Sequence, residues 1–234
     1  MRIMTFMAVL WVAVFFIQSS TEAAQTTIAV LDFENNSFSK AEEYDPLTKG
    51  LAEMFVTELS TLEALQVVER QKIKSVLDEL KLSQSGLISE KNSTEVGKLL
   101  GAHHLVFGGY MVTMDEKIRI DVRVVEVETG LTINAGQETG KTKDILRLIQ
   151  KLSNKIVKDL NVQLSKNEER SLRKAKAFDM QAVVYYSKGV EYEDNGQLRE
   201  AYLSYKQALE IEPEFDQVKK RISLLVQKAK EQKN

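Results

Sequence analysis

Residues 182–215 read AVVYYSKGVEYEDNGQLREAYLSYKQALEIEPEF, and their landmarks fall at the spacing of two short helices packed back to back. Large aromatics stand at Tyr185, Tyr192 and Tyr205, small residues at Gly189, Ala201 and Ala208, a turn glycine at Gly196 and a proline at Pro213. Helices approach closely only where one side lacks bulk, so Gly189, Ala201 and Ala208 mark the line of contact and the tyrosines fill the gaps between turns. The stretch therefore predicts a helix–turn–helix unit of about 34 residues.

This pattern is similar to the tetratricopeptide repeat, with Lys188 in place of the usual leucine. One such unit cannot bury its own faces, and about three are normally needed in a stack. Leu172 to Met180 could cover it from before, and Val218, Ile222, Leu225 and Val226 from behind as a capping helix with a charged tail. The concave helix positions Val183, Tyr186, Val190 and Glu193 are the candidate partner-binding residues. The resemblance implies peptide binding there, and two valines with a tyrosine suit an apolar segment. A second reading has the same side chains only contacting a preceding helix, since apolar stripes are usually core.

Upstream, Thr26 to Phe33 is nearly continuous in apolar and β-branched residues and predicts a central strand. Asp45-Pro46 predicts a helix start, with Leu47, Leu51, Met54, Phe55, Leu59 and Leu62 on one face. A short strand at Gln66–Glu69 and a helix through Ile73, Val76, Leu77 and Leu80 follow. Asn92 with Glu95 predicts a capping box opening a helix that stops at Gly101. The period then changes to two: Leu105 to Met114, Ile118 to Val124 and Leu131 to Thr139 predict strands joined by turns at Asp115-Glu116 and Thr129-Gly130. A helix with Ile145, Leu148, Ile149, Leu152, Ile156 and Leu160 on one stripe closes the region. Without a βαβ alternation, this predicts an α+β fold, a largely antiparallel sheet with helices packed on one face, followed by a small all-α hairpin and capping helix. The expected organisation is a signal peptide at 1–23, the α+β domain at 24–162, a connecting helix at 163–181, the repeat at 182–215 and a capping helix with tail at 216–234.

Ile28-Ala-Val-Leu-Asp-Phe33, Val68-Glu-Arg-Gln71, Val96-Gly-Lys-Leu-Leu-Gly-Ala102 and Ile120-Asp-Val-Arg-Val-Val-Glu-Val-Glu-Thr-Gly130 resemble, in order and wording, the periplasmic domain of CsgG-type curli secretion proteins over roughly residues 26 to 160. The resemblance implies a CsgG/anticodon-binding-domain-like fold, shared with penicillin-binding-protein activators and flagellar outer-membrane accessory proteins. It also implies a place in curli-type assembly. Members of the curli family insert two membrane-spanning hairpins where this chain has only two-residue turns, and a membrane strand needs about 9–11 residues. No integral membrane pore of its own is therefore expected.

Met1-Arg2 ahead of the apolar run Ile3–Ile17, then Thr21-Glu22-Ala23, predicts a cleavable signal peptide. A run of that length is short for the roughly 20 residues that span hydrocarbon. The 234 residues include no cysteine, so attachment as a lipoprotein is not expected, and neither is a disulfide or thiolate site. The expected location is periplasmic or outer-membrane-associated. A net charge of −2 lacks the basic field that nucleic-acid binding requires.

Nothing in the chain predicts a catalytic, cofactor or metal site. His103 and His104 are adjacent on a strand and point to opposite faces. Gly108-Gly109 lacks the lysine and hydroxyl of a phosphate loop. Asp32, an acid ending an apolar strand, is expected to make local hydrogen bonds. Lys166, Arg170, Arg173, Lys174 and Lys176 alternate with Asn167, Glu168 and Glu169 and predict a solvated connecting helix. The expected function is that of a non-enzymatic exported envelope adaptor that binds other proteins or peptides in outer-membrane assembly, secretion or envelope biogenesis. The alternative is a self-assembling structural subunit, a homo-oligomer formed through the repeat face.

Overall fold

The strands β1 (Thr26–Asn35), β2 (Leu65–Val67), β3 (His104–Val112), β4 (Lys117–Glu126) and β5 (Thr132–Lys141) form one sheet in the order β2-β1-β3-β4-β5. The computed structural model describes residues 25–80, 90–171 and 176–231, so the expected signal segment, with Leu172, Arg173 and Lys174, lies outside it. Helices α1 (Ala41–Tyr44), α2 (Leu47–Leu59), α3 (Arg70–Glu79), α4 (Glu90–Leu100), α5 (Ile145–Asp159) and α6 (Lys166–Ser171) surround the sheet, and α7 (Met180–Asp194), α8 (Leu198–Ile211) and α9 (Asp216–Glu231) follow.

The α+β class is as the sequence predicts, but the pairing is mixed. β1 pairs in parallel with both β2 and β3, while β3, β4 and β5 pair antiparallel. β1, α2 and β2 form a βαβ unit after all, hidden in the sequence because β2 is only 3 residues long. From β2 the chain crosses back through α3 and α4 to the far side of β1. Two crossovers of the same hand that move in opposite directions place their helices on opposite faces. The one-face expectation is corrected accordingly: Ala29, Leu31, Ile73, Val96, Leu100, Leu105 and Phe107 form a second, smaller core under α3 and α4. The main core gathers Ile28, Val30, Val106, Ile118, Ile120 and Val122 with α2 and α5.

A register shift between Val30 and Phe33 changes the parity of β1, so Ile28, Val30 and Phe33 all face the main core while Asp32 is exposed. Phe33 stacks on Phe55 of α2 with ring centroids 5.2 Å apart. The expected cap at Asn92 does not form the helix start, because α4 already runs from Glu90. Asp45 does not cap either. One turn of helix, α1, precedes it, and α2 starts after Pro46 with no side-chain cap.

Where α2 meets α5, Gln150 Nε2 donates to Glu58 Oε2 at 3.4 Å. Burial pushes the Glu58 carboxyl up, partly offset by that hydrogen bond. A carboxyl raised on folding favours its neutral form, so its charged form weighs against folding as pH climbs past the ordinary carboxylate range. Glu58→Gln is therefore expected to stabilise the protein near pH 7 and to make little difference near pH 3.5, where both states are protonated. Urea midpoints of both chains at the two pH values check this.

Candidate interaction surface

The repeat folds as its landmarks require. α7 opens on Asp179, whose carboxylate accepts from the Gln181 N–H at 2.7 Å. Gly196 takes the left-handed turn between α7 and α8 with φ 73°. A Cβ at Gly189 would sit 2.3 Å from the Tyr205 ring, which is why the position must be bare. Ala201, Tyr205 and Ala208 are buried, Tyr185 and Tyr192 are half-buried, and Lys188 lays its ammonium 5.5 Å over the Tyr185 ring. Behind the repeat, Pro213 lies in the bend before α9, which buries Val218 and Leu225, covers Ile222 in part and leaves Val226 exposed.

The groove itself is full. Val183 and Tyr186 are 0 % exposed and Val190 1 %. Their cover is α2 of the sheet domain, which approaches so closely that a Cβ on Gly50 would lie 2.5 Å from Cβ of Ser187. Val183, Tyr186, Val190 and Glu193 are therefore not an open partner-binding face, and the expectation is corrected. The second reading, contact with an earlier helix, describes them, although that helix is α2 and not the segment just upstream. Of the expected connecting helix at 163–181, Lys166–Ser171 and the first two residues of α7 are helical among the described residues, residues 176–179 are not, and Phe178 is buried in a stack on Phe215 with centroids 4.4 Å apart.

A charged cluster lines the rim of this contact. Arg70, at the start of α3, reaches Asp194 Oδ2 at 2.5 Å, Asp32 Oδ1 at 3.2 Å and Glu53 Oε2 at 3.8 Å. Arg221 of α9 pairs with Glu53 and, at 3.4 Å, with Glu193. Glu193 also accepts from Tyr205 Oη at 3.0 Å and pairs with Lys228 at 3.1 Å, while Lys74 donates to the Asp194 carbonyl at 2.8 Å. Burial works against the charge on Arg70 and on Arg221. The surrounding carboxylates, Asp32, Asp194 and Glu53 for the first and Glu53 and Glu193 for the second, outweigh it and raise both guanidinium groups above their ordinary value. Asp32, expected to bond locally, is thus tied across elements to Arg70. The cluster joins β1, α2, α3, α7, α8 and α9, and it fixes how the repeat sits on the sheet domain.

The histidines do not converge. His103 Nδ1 accepts from the Thr27 N–H at 2.9 Å, and burial depresses the His104 imidazole, partly offset by Glu126. Among the described residues no group of His, Asp and Glu is arranged to hold a metal ion.

A concavity lies on the sheet face opposite the main core, beyond the reach of α3 and α4. It is a recess of about 440 Å³ floored by Phe107 and Gly109, with Glu34, Asp121, Arg123 and Gln137 on its walls. Register explains the floor: Glu34, Gly109, Asp121 and Gln137 lie in one row across β1, β3, β4 and β5, and the bare glycine makes room for the Asn36 amide, whose Nδ2 would sit 2.5 Å from a Cβ there. Arg119 is held by Asp121 at 2.7 Å and donates to Gln137 at 2.8 Å. Arg123 and Glu34 form no ion pair among the described residues, so the recess offers one free charge of each sign. Lys117, Arg119, Asp121 and Arg123 alternate with Ile118, Ile120, Val122 and Val124 and make this face polar, but the recess depends on cross-strand register, which one strand's sequence does not carry.

Among known proteins, residues 13–113 match the family described as curli production assembly/transport component CsgG, and residues 182–215 match the tetratricopeptide repeat. No curated protein matches the chain. Similar solved structures include the C-terminal domain of LpoB from Escherichia coli, with 17 % identity, 53 % of this chain and 89 % of that chain covered and a TM-score of 0.40. TolB from Acinetobacter baumannii has 12 % identity, 58 % and 28 % coverage and a TM-score of 0.39. Lipoprotein GNA1162 from Neisseria meningitidis has 15 % identity, 60 % and 99 % coverage and a TM-score of 0.37. The polypeptide is thus similar to the CsgG family over residues 13–113 and to a tetratricopeptide repeat over residues 182–215.

Proposed function

We propose that this protein is a non-enzymatic, exported accessory factor of the cell envelope that docks another envelope protein on its sheet. One observation carries the docking site: α2 fills the repeat groove, which leaves the polar sheet recess with its free Arg123 and Glu34 as the surface open to a partner. The match to a curli assembly and transport family and the signal-like N-terminus support the location. The repeat then acts as a brace for the sheet domain. Self-assembly through the repeat face loses its support for the same reason that the groove reading does.

A photo-crosslinking residue at Arg123, introduced into the chain in its native envelope, is expected to give a discrete protein adduct, and one at Lys206 on the outer side of α8 is not. Adducts confined to Lys206, or retention of the protein in the cytosol, would overturn the reading.

A further inference from the structure

The outer edge of β5 is a second open feature. The strand runs 10 residues, pairs with β4 on one side and meets no strand on the other among the described residues. From Gly136 to Lys141 its outer backbone donors and acceptors meet no strand among the described residues and are available to an added one. No proline interrupts it, and the one register shift with β4 falls at its start.

Beside this edge lies a row of cations. Arg147, Lys151, Lys155 and Lys158 are exposed on α5 at three- and four-residue steps, so they share one flank of the helix, which Asp159 closes at its end. That flank adjoins β5: Lys151 pairs with Glu138 at 3.4 Å, and Lys155 Nζ lies 3.6 Å from where a Cβ on Gly136 would be. Lys155 and Lys158 have no ion pair among the described residues. Asp144 and Glu138 each take up one cation and Asp159 adds one negative charge at the end, so the four cations leave the row net positive in a chain whose net charge is −2.

We propose that the β5 edge takes up an extended, acidic segment of a partner protein as a sixth strand. Side chains alternate between the two faces of a strand, so every second residue of the guest would meet the α5 cations and the others would lie beside Gln137 and Thr139. Charge selects this occupant over a second copy of the chain, because two such edges pairing about a two-fold axis bring Lys151 and Lys155 against the same row. Like charges at that range oppose pairing. The same lysines thus guard the edge against self-association and choose what may bind it.

The inference rests on the docking role proposed above and gives that partner a chemistry. The test uses the full chain with a labelled ten-residue peptide alternating Glu and Val, its Lys/Val counterpart as control, and anisotropy as the readout. The acidic peptide is expected to bind at least tenfold more tightly than the basic one and to protect β5 amides from hydrogen exchange. Lys151→Glu with Lys155→Glu is expected to weaken binding at least tenfold. If circular dichroism shows that double variant unfolded, Lys155→Gln alone, expected to weaken binding several-fold, replaces it. Equal binding of the two peptides, binding without β5 protection, an unchanged affinity in a folded variant, or an edge-paired dimer that the peptide does not displace would each overturn the proposal. Crosslinks at Arg123 that persist while the acidic peptide fails would sink the edge alone, and loss of both would sink the docking role.

Discussion

Arg221→Ala is expected to lower stability by about 3–5 kcal/mol, the cost typical of removing one partner from a buried ion pair. The effect is large because of what stays behind. Glu53 is 5 % exposed, and without Arg221 its remaining cation among the described residues is Arg70, 3.8 Å away and already shared with Asp32 and Asp194. Glu193 keeps Tyr205 and Lys228 and suffers less. Adding Glu53→Gln to Arg221→Ala is therefore expected to recover part of the loss, since a neutral amide tolerates burial better than an unpaired carboxylate. Urea unfolding of the four chains in the cycle measures it. A cost below about 1 kcal/mol for Arg221→Ala, the range of exposed surface pairs, would contradict the buried cluster.

Tyr186→Ala is expected to cost a further class of energy, about 3–5 kcal/mol, through lost burial and the cavity left behind. Its ring is wholly buried, with centroids 6.0 Å from Tyr205 and 5.2 Å from Phe215, and Val183 and Val190 flank it on the same helix. If Tyr186 lined an open groove, its removal would leave the unfolding midpoint nearly unchanged and act only on partner binding. Thermal and urea unfolding separate the two outcomes without knowledge of any partner.

How much of this was legible depends on whether a signal was local. The repeat was, because Gly189, Gly196, Ala201 and Ala208 are demanded by contacts within a few dozen residues. So were the strands and their turns, through the alternation from Lys117 to Val124. The cover of the groove was not. The apolar stripe of α2 reads the same whether it packs on a sheet, on a repeat or on both, and it serves both here. The charged cluster was hidden for a related reason: Arg70, Glu53 and Arg221 each look like an ordinary charge on a helix until the fold brings them together. Asn92 with Glu95 shows the converse error, a local pattern at capping spacing that falls inside a helix beginning earlier. The parity change at Asp32 was also invisible, since one extra residue in a strand leaves no mark in a run that is apolar on both faces.

Because α2 belongs to the first part of the chain and its guest helix α7 to the last, order of synthesis matters. The final three helices bury Tyr205, Phe215 and Leu225 among themselves, but the α7 face that meets α2 stays bare until the N-terminal half has set a template for it. A nascent chain stalled before α7 already carries β1 to β5, whereas a detached tail spanning α7 to α9 exposes the apolar face that α2 covers and is open to proteolysis.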